Sequence, residues 1–371
     1  MEYFFLFGRN PTLSYAEVIS YLKSHGIAYE IISFDNNYLI ISVADAIKFD
    51  VQEFGGVLKI GKANRVKTNK DIQIQVDNYF ASERKFNYTV IGNGEEEIVA
   101  EIEEMLKEKF KLEKLKAQVR HSQGRIKMQE GEDFEFTHAD VEFFYYNNQK
   151  AIYFGLVEQN YSYKDVKKRD MQKPIRREAL AISPRLAKIL INLSQVREGE
   201  LLADPFCGIG VIVQEAVLKG INCFGGDKDR YAIAGAKKNL EWLHSKYSTK
   251  GKARLNIGDS ARFPNARING VATEPALGEL VRKKMKERDA PEYIAEFEKL
   301  IIPVLNRMKE LKTPNAKIVL TMPFIRKYAV SVHRITTATG LKVYELDERV
   351  KMPIKESREK QFVGRDIIIL E

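Results

Sequence analysis

Three short runs in the second half of this 371-residue chain have the residue types and spacing to hold a nucleoside by its sugar and its base. They are Ala203-Asp204-Pro205-Phe206-Cys207-Gly208-Ile209-Gly210, then Gly225-Gly226-Asp227, then Gly258-Asp259. Leu201-Leu202-Ala203 is apolar and reads as the end of a buried strand. A strand that stops at Asp204 and turns through Gly208 and Gly210 into a helix over 211–219 brings backbone N–H groups and a helix N-terminus up to a ligand. A Cβ would block that approach. Asp227 lies 17 residues beyond Gly210, after a helix and a second strand, where its carboxylate can accept both hydroxyls of a ribose. Asp259, after a third strand over 254–257, is placed to meet an adenine amino group.

A dinucleotide-binding fingerprint also runs strand, glycines, helix, acid. It needs a third glycine where this chain has Val213, and Asp204 would put a negative charge beside a pyrophosphate. The same aspartate suits a cationic sulfonium and ammonium. Together the three runs resemble the S-adenosylmethionine pocket of a class I methyltransferase, with Phe206, Cys207, Lys228 and Ser260 as further lining residues. If the glycines only turn the chain, three spaced signals coincide by accident.

After the fourth expected strand stands Val271-Ala272-Thr273-Glu274-Pro275-Ala276-Leu277-Gly278. It occupies the place of the acid or amide, Pro, Pro, aromatic motif of amino-group methyltransferases. An exocyclic amine on a base is a poor nucleophile because its lone pair is delocalised into the ring. Two acceptors that hydrogen-bond its two protons localise the lone pair toward the methyl group, and in-line positioning supplies most of the remaining gain. Glu274 and the Pro275 carbonyl are the expected acceptors. An ionised carboxylate donates nothing, so it matches the adjacent N–H and amino donors of guanine better than the acceptor-bearing edges of adenine or cytosine. Leu277 stands where an aromatic usually stacks on the flipped base, worth about 1–3 kcal/mol per base; Phe324 is a candidate to take that role. The competing reading is that Glu274-Pro275 ends a strand and does nothing else.

Positioning these residues takes a parallel sheet with helices on both faces. Strands are expected over 200–204, 222–227, 253–257, 269–274 and 317–323, followed by 342–347 and 365–370 with no helix between them, an edge hairpin. Upstream, 3–7 reads as a strand, Ser14-Tyr15-Ala16-Glu17 as a capping box opening a helix through Leu22, and 38–43 and 57–60 as strands. From about 65 to 160 come a strand at 88–91, a helix with Ile98, Ile102, Met105 and Leu106 on one face, a strand at 117–120, and two long strands at 140–146 and 151–156. The expected division is an N-terminal α/β domain over 1–62, a second α/β module over 63–160, a basic linker over 161–182 and the ligand-binding α/β domain over 183–371.

Roughly 100–200 residues per domain allows two or three domains here. The composition is 44% hydrophobic and 30% charged, which excludes the apolar depletion of disordered chains. Tyr3 to Phe7 is too short and too poorly flanked for a signal peptide, and no run approaches a membrane span. Two cysteines, Cys207 and Cys223, build neither a metal site nor a disulfide framework, so no metal and a reducing cytoplasm are expected. The five histidines have no partner spacing. The net charge of +9 is uneven: between Lys164 and Lys188 nine basic residues face three acids, for +6. Lys164, Lys167, Lys168, Arg169, Lys173, Arg176 and Arg177 are the candidate phosphate contacts; a solvated linker is the plain alternative.

With these residues in hand, the chain resembles the THUMP-domain tRNA guanine-N2-methyltransferases that modify position 10. The likeness rests on Phe7-Gly8-Arg9-Asn10-Pro11, on Lys168-Arg169-Asp170-Met171-Gln172-Lys173-Pro174-Ile175-Arg176-Arg177, on Ser183-Pro184-Arg185-Leu186-Ala187, on Asp204 to Gly210 and on Asn239-Leu240. It implies a THUMP-like RNA-binding domain over 63–160, tRNA as partner, a small activator subunit as a further candidate partner, and S-adenosylmethionine held by Asp204, Gly208, Gly210, Asp227 and Asp259. Glu274 and Pro275 align with the Asp-Pro of the family's Asp-Pro-Pro-Tyr-Gly, whereas Ala276 and Leu277 depart from it. Two other functions remain open: amino-methylation of DNA adenine or cytosine, and RNA binding by a protein that keeps the donor pocket without catalysing.

Overall fold

Alternating apolar positions build the first half of the chain. The computed structural model describes residues 1–93, 96–121, 124–127, 133–136, 138–148, 150–177, 182–275, 286–357 and 362–371. The strands of the N-terminal half are β1 (Glu2–Phe7), β2 (Tyr29–Asp35), β3 (Tyr38–Val43), β4 (Val57–Val66), β5 (Lys85–Gly92), β6 (Lys116–Val119), β7 (Gly124–Lys127), β8 (Asp133–Phe136), β9 (Val141–Asn147) and β10 (Ile152–Asn160). Eight of them form one sheet in the order β2-β3-β1-β4-β10-β9-β5-β6, while β7 and β8 pair separately. Strand β9 shows the logic of this sheet. Its Phe143 and Tyr145 pack on one face, with Phe110, Ile102 and Leu106, and its Phe144 and Tyr146 on the other, with Phe4, Leu6 and Ile40. Both faces are therefore apolar, as a strand covered on two sides requires. The expected boundary at residue 62 falls inside β4, which pairs with β1 on one edge and β10 on the other.

Among the described residues the helices are α1 (Pro11–Ser24), α2 (Asn69–Asp77), α3 (Glu96–Leu112), α4 (Tyr163–Gln172), α5 (Pro184–Leu193), α6 (Val211–Leu218), α7 (Arg230–Lys246), α8 (Ala290–Leu311) and α9 (Val332–Thr339). By contacts the chain divides into two units, one of residues 1–11, 28–51 and 57–161, the other of residues 12–27, 52–56 and 162–371. Most of α1 thus belongs with the C-terminal half. The expected capping box at Ser14 is not how α1 begins. The helix starts at Pro11, a residue suited to a first helical position. The Ser14 hydroxyl donates to the Gly56 carbonyl at 3.2 Å, and Glu17, fully buried, accepts from the Gly55 and Gly56 amides at 2.7 and 2.8 Å.

The remaining strands are β11 (Leu201–Asp204), β12 (Asn222–Asp227), β13 (Ala253–Ile257), β14 (Ile268–Thr273), β15 (Lys312–Ile325), β16 (Tyr328–Ala329), β17 (Ile354–Glu356) and β18 (Val363–Leu370). They form a sheet in the order β13-β12-β11-β14-β15-β18-β17, with β16 attached to β15. The first five are parallel, and β18 runs antiparallel between β15 and β17. Of the expected edge hairpin, residues 342–344 pair antiparallel with 369–371 at the end of β18, Lys342 and Glu371 bonding in both directions and the Tyr344 amide donating to the Ile369 carbonyl, and 354–356 add a further strand along β18. Leu346, 2% exposed, points its apolar side chain inward instead of extending an edge. The stretch expected as an irregular linker contains α4, opened by the Ser162 hydroxyl accepting from the Asp165 amide. On the sheet, α8 closes the core with Phe297, Ile301, Val304, Leu305 and Met308 against Ile318, Leu320 and Met322.

Candidate active site

The chain order reverses between β11 and β14, which lie side by side with crossovers leading away in opposite directions. In an open α/β sheet the crevice for a ligand lies at the carboxyl ends of the strands at such a switch point. Asp204, Asp227, Asp259 and Glu274 all stand at or just past the carboxyl ends of β11, β12, β13 and β14.

The glycine turn is built as the sequence leads one to expect. Gly208 has φ +52° and Gly210 φ +82°, and Gly210 precedes α6 without any side-chain cap. The first amides of α6 are left to whatever binds there. A Cβ on Gly208 would meet nothing within 4 Å, so the space beside this turn is open. The Gly208 amide donates to Asp227 Oδ2 at 2.9 Å, and the Asp229 amide donates to Oδ1 at 2.8 Å. These two bonds fix the carboxylate plane of Asp227 while leaving lone pairs on both oxygens. The Cys207 amide donates to the Gly226 carbonyl at 2.8 Å, and a Cβ on Gly225 would come within 3.0 Å of Cys207. That glycine lets the turn lie against β12. The Cys207 and Cys223 thiols are buried and unpaired with each other, and burial pushes both well above the usual thiol range.

Asp204 is 1% exposed, and burial pushes its carboxyl up to about 7. The Thr273 hydroxyl, donating to Oδ1 at 2.6 Å, and the Phe206 amide at 3.3 Å pull the other way, while the charges of Asp227 and Glu274 raise it further. A cation at this point would relieve the burial cost. Asp259 is exposed, with Oδ1 taken by the Ala261 amide at 3.0 Å, and Ser260 is buried, its hydroxyl donating to the Pro205 carbonyl. Phe206 is half-buried against the core and Lys228 is exposed beside Asp227.

Glu274 follows β14 directly. Its carboxylate is 9% exposed, burial raises its pKa, and Arg365 on β18 opposes that rise by donating from Nε to Oε1 at 2.5 Å. Arg365 had no signal in the sequence, because the fold alone brings β18 alongside. Pro275 is buried. Ala276, Leu277 and Gly278 lie outside the described residues. Phe324 is half-buried, its ring so close over Gly364 that a Cβ there would fall 2.1 Å from Cζ, and Lys355 Nζ lies 5.3 Å from the ring centre.

The seven basic candidates separate into two kinds. Lys164, Lys167 and Lys168 are exposed on α4. Arg169 pairs with both oxygens of Glu215 at 3.1 Å, Lys173 is 5% exposed and bonded to Asp170, and Arg177 donates to Asp229 at 2.8 Å. Arg176 is exposed. Among the described residues no cluster of His, Cys, Asp and Glu could hold a metal ion, and no helix is long and apolar enough to cross a membrane.

The fold is that of the class I, Rossmann-like methyltransferases: the crystal structure of TrmN from Thermus thermophilus superposes with a TM-score of 0.56 at 13% identity, covering 100% of this chain and 99% of that one. A tRNA (guanine(10)-N2)-dimethyltransferase of Methanothermobacter thermautotrophicus is 43% identical over 98 residues, 26% of this chain and 28% of that protein. The protein of the same name from Methanocaldococcus jannaschii is 32% identical over 105 residues, 27% of this chain and 30% of that protein. The matched segments thus span under a third of either relative's length. Residues 173–301, which hold the glycine turn, Asp227, Asp259 and Glu274, match the family UPF0020, described as RMKL-like, methyltransferase domain.

Proposed function

We propose that the protein transfers a methyl group from S-adenosylmethionine to the N2 amine of a tRNA guanosine, at position 10 by its likeness to the archaeal relatives. The observation that carries this reading is the pairing of two carboxylates through one short segment. Asp204 is buried and favours a cation, while Glu274, one residue past the Thr273 that bonds Asp204, is an acceptor held by Arg365. Asp227 and Asp259 would hold the ribose and the adenine, and the open space beside Gly208 admits the donor's backbone-side approach. Bound S-adenosylmethionine supplies an electrophilic methyl on a sulfonium sulfur. Glu274 and the Pro275 carbonyl would accept the two N2 protons and aim the lone pair, and the departing proton goes to Glu274 or to water.

The stretch 63–160 we read as THUMP-like and tRNA-binding, aided by the exposed lysines of α4, and the two free buried cysteines suit the cytoplasm. The test is methyl transfer from labelled donor to unmodified tRNA with nucleoside mass analysis. Methylguanosine that disappears in Glu274→Ala supports the reading. Donor and tRNA binding without transfer would point to binding without catalysis, and label in DNA adenine or cytosine would move the substrate.

A further inference from the structure

The acceptor carboxylate is engaged from a strand that sequence patterns do not connect with it. Glu274 ends β14, β14 pairs with β15 through Thr273 opposite Leu320, and β15 pairs with β18 through Pro323 opposite Arg365. Arg365 therefore reaches Glu274 across β15, and its Nε takes Oε1. Among the described residues Oε2 has no hydrogen bond, so one oxygen is fixed and the other is left for a ligand. A buried ion pair is weak evidence for stability, because desolvation of both charges offsets their attraction and an apolar pair of similar volume serves the core as well. At the carboxyl edge of the switch-point strands, the same pair has a use.

We infer that Arg365 is a positioning residue for the acceptor amine: by holding Glu274 through Oε1 it presents Oε2, as a carboxylate, to the base. The inference rests on the guanosine methyl-transfer reading above. Its chemical content is selectivity. A carboxylate only accepts, so the Arg365-held Glu274 matches a base edge made of donors, whereas a protonated Glu274 would donate and could pair with the ring acceptor of adenine or cytosine. The charged groups that act on Glu274 are Arg365 from β18, which favours the carboxylate, and Asp204 from β11, whose own shift records repulsion from Glu274. Glu356 on β17 stands opposite Arg365 in register. Without the guanidinium, burial pushes Glu274 toward its protonated form.

The experiment uses the full chain with labelled S-adenosylmethionine and unmodified tRNA, comparing wild type, Arg365→Met and Arg365→Lys. Arg365→Met is expected to lower kcat for methylguanosine at neutral pH by about tenfold or more, with partial recovery as the pH is raised and Glu274 ionises. Donor affinity by calorimetry is expected to stay within about twofold, because the donor residues are untouched. If Arg365→Met does not fold, Arg365→Lys carries the test, since it keeps the charge and loses the Nε donor: kcat falls with donor affinity unchanged. An active wild type with unchanged kcat and pH profile in the variants overturns this inference alone. A wild type that methylates no guanosine overturns the reading beneath it.

Discussion

The Thr273 hydroxyl donates to Asp204 Oδ1 at 2.6 Å and so ties the end of β14 to the end of β11, with Asp204 on one side of the bond and Glu274 next in the chain on the other. Thr273 is 2% exposed and buried with its partner. Hydrogen bonds to charged groups contribute about 1.5–3 kcal/mol, so Thr273→Val, which keeps the shape and removes the donor, is expected to weaken S-adenosylmethionine binding about ten- to hundredfold. Calorimetry on the variant checks this; an unchanged Kd would mean that Asp204 does not meet the donor.

The pH dependence of donor binding follows from Asp204. Its carboxyl, pushed up to about 7 by burial, carries a proton on the acid side of that value and loses it on the basic side. The folded pKa is raised, so the ionised form costs stability in the donor-free protein, a cost that appears as pH rises toward about 7 from the unfolded value of about 4. A cationic donor binds the ionised form. Affinity is therefore expected to climb with pH up to about 7, at most about tenfold per unit, and to level off above. Asp204→Asn should bind weakly with no such slope, and S-adenosylhomocysteine, without the sulfonium charge, should show a shallower one. A flat wild-type profile would exclude Asp204 from the cationic end of the ligand.

Gly208 separates strain from ligand approach. Its φ of +52° disfavours a side chain, but nothing lies within 4 Å of an added Cβ. Gly208→Ala is expected to cost about 1–2 kcal/mol of stability, a modest drop in Tm. Donor affinity should fall well beyond that, by about a hundredfold, because the methyl occupies the space in which backbone amides meet the ligand. Equal, small losses in both measurements would mean that the turn is structural.

How much of this was legible in the sequence varies with how local the signal is. The strand, glycine turn and helix around Asp204, and the placement of Asp227 and Asp259, follow from short-range rules of backbone conformation, and each strand expected between 200 and 323 exists. The partner of Glu274 was not legible, because Arg365 is 91 residues away and meets it only through the insertion of β18 beside β15. The start of α1 was misread because Ser14 and Glu17 satisfy a capping pattern whose groups are instead taken by Gly55 and Gly56, a contact across some 40 residues. Of the expected edge strand at 342–347 only 342–344 pair with the end of β18, because Leu346 is buried in the loop that follows, which periodicity does not distinguish from a strand.

The basic stretch yields opposite expectations for neighbouring residues. Lys164, Lys167 and Lys168 project from α4 without ion pairs among the described residues, so replacing all three by Gln should leave Tm nearly unchanged. It should weaken tRNA binding and reduce the slope of log K against log salt by up to about 2–3. Arg169 sits in the same run but is bonded through Nε and Nη2 to Glu215, whose side chain is 3% exposed. Removing it leaves a buried carboxylate without that partner, which costs about 3–5 kcal/mol, so Arg169→Ala should lower Tm by several degrees. Any loss of tRNA binding in that variant would then follow from the fold of α4 on α6. Filter binding across a salt series, beside thermal melts, distinguishes the two. A lysine variant with an unchanged salt slope would return α4 to a solvated surface, and an Arg169→Ala protein as stable as wild type, with a slope reduced by about one, would make Arg169 a phosphate contact instead of a brace.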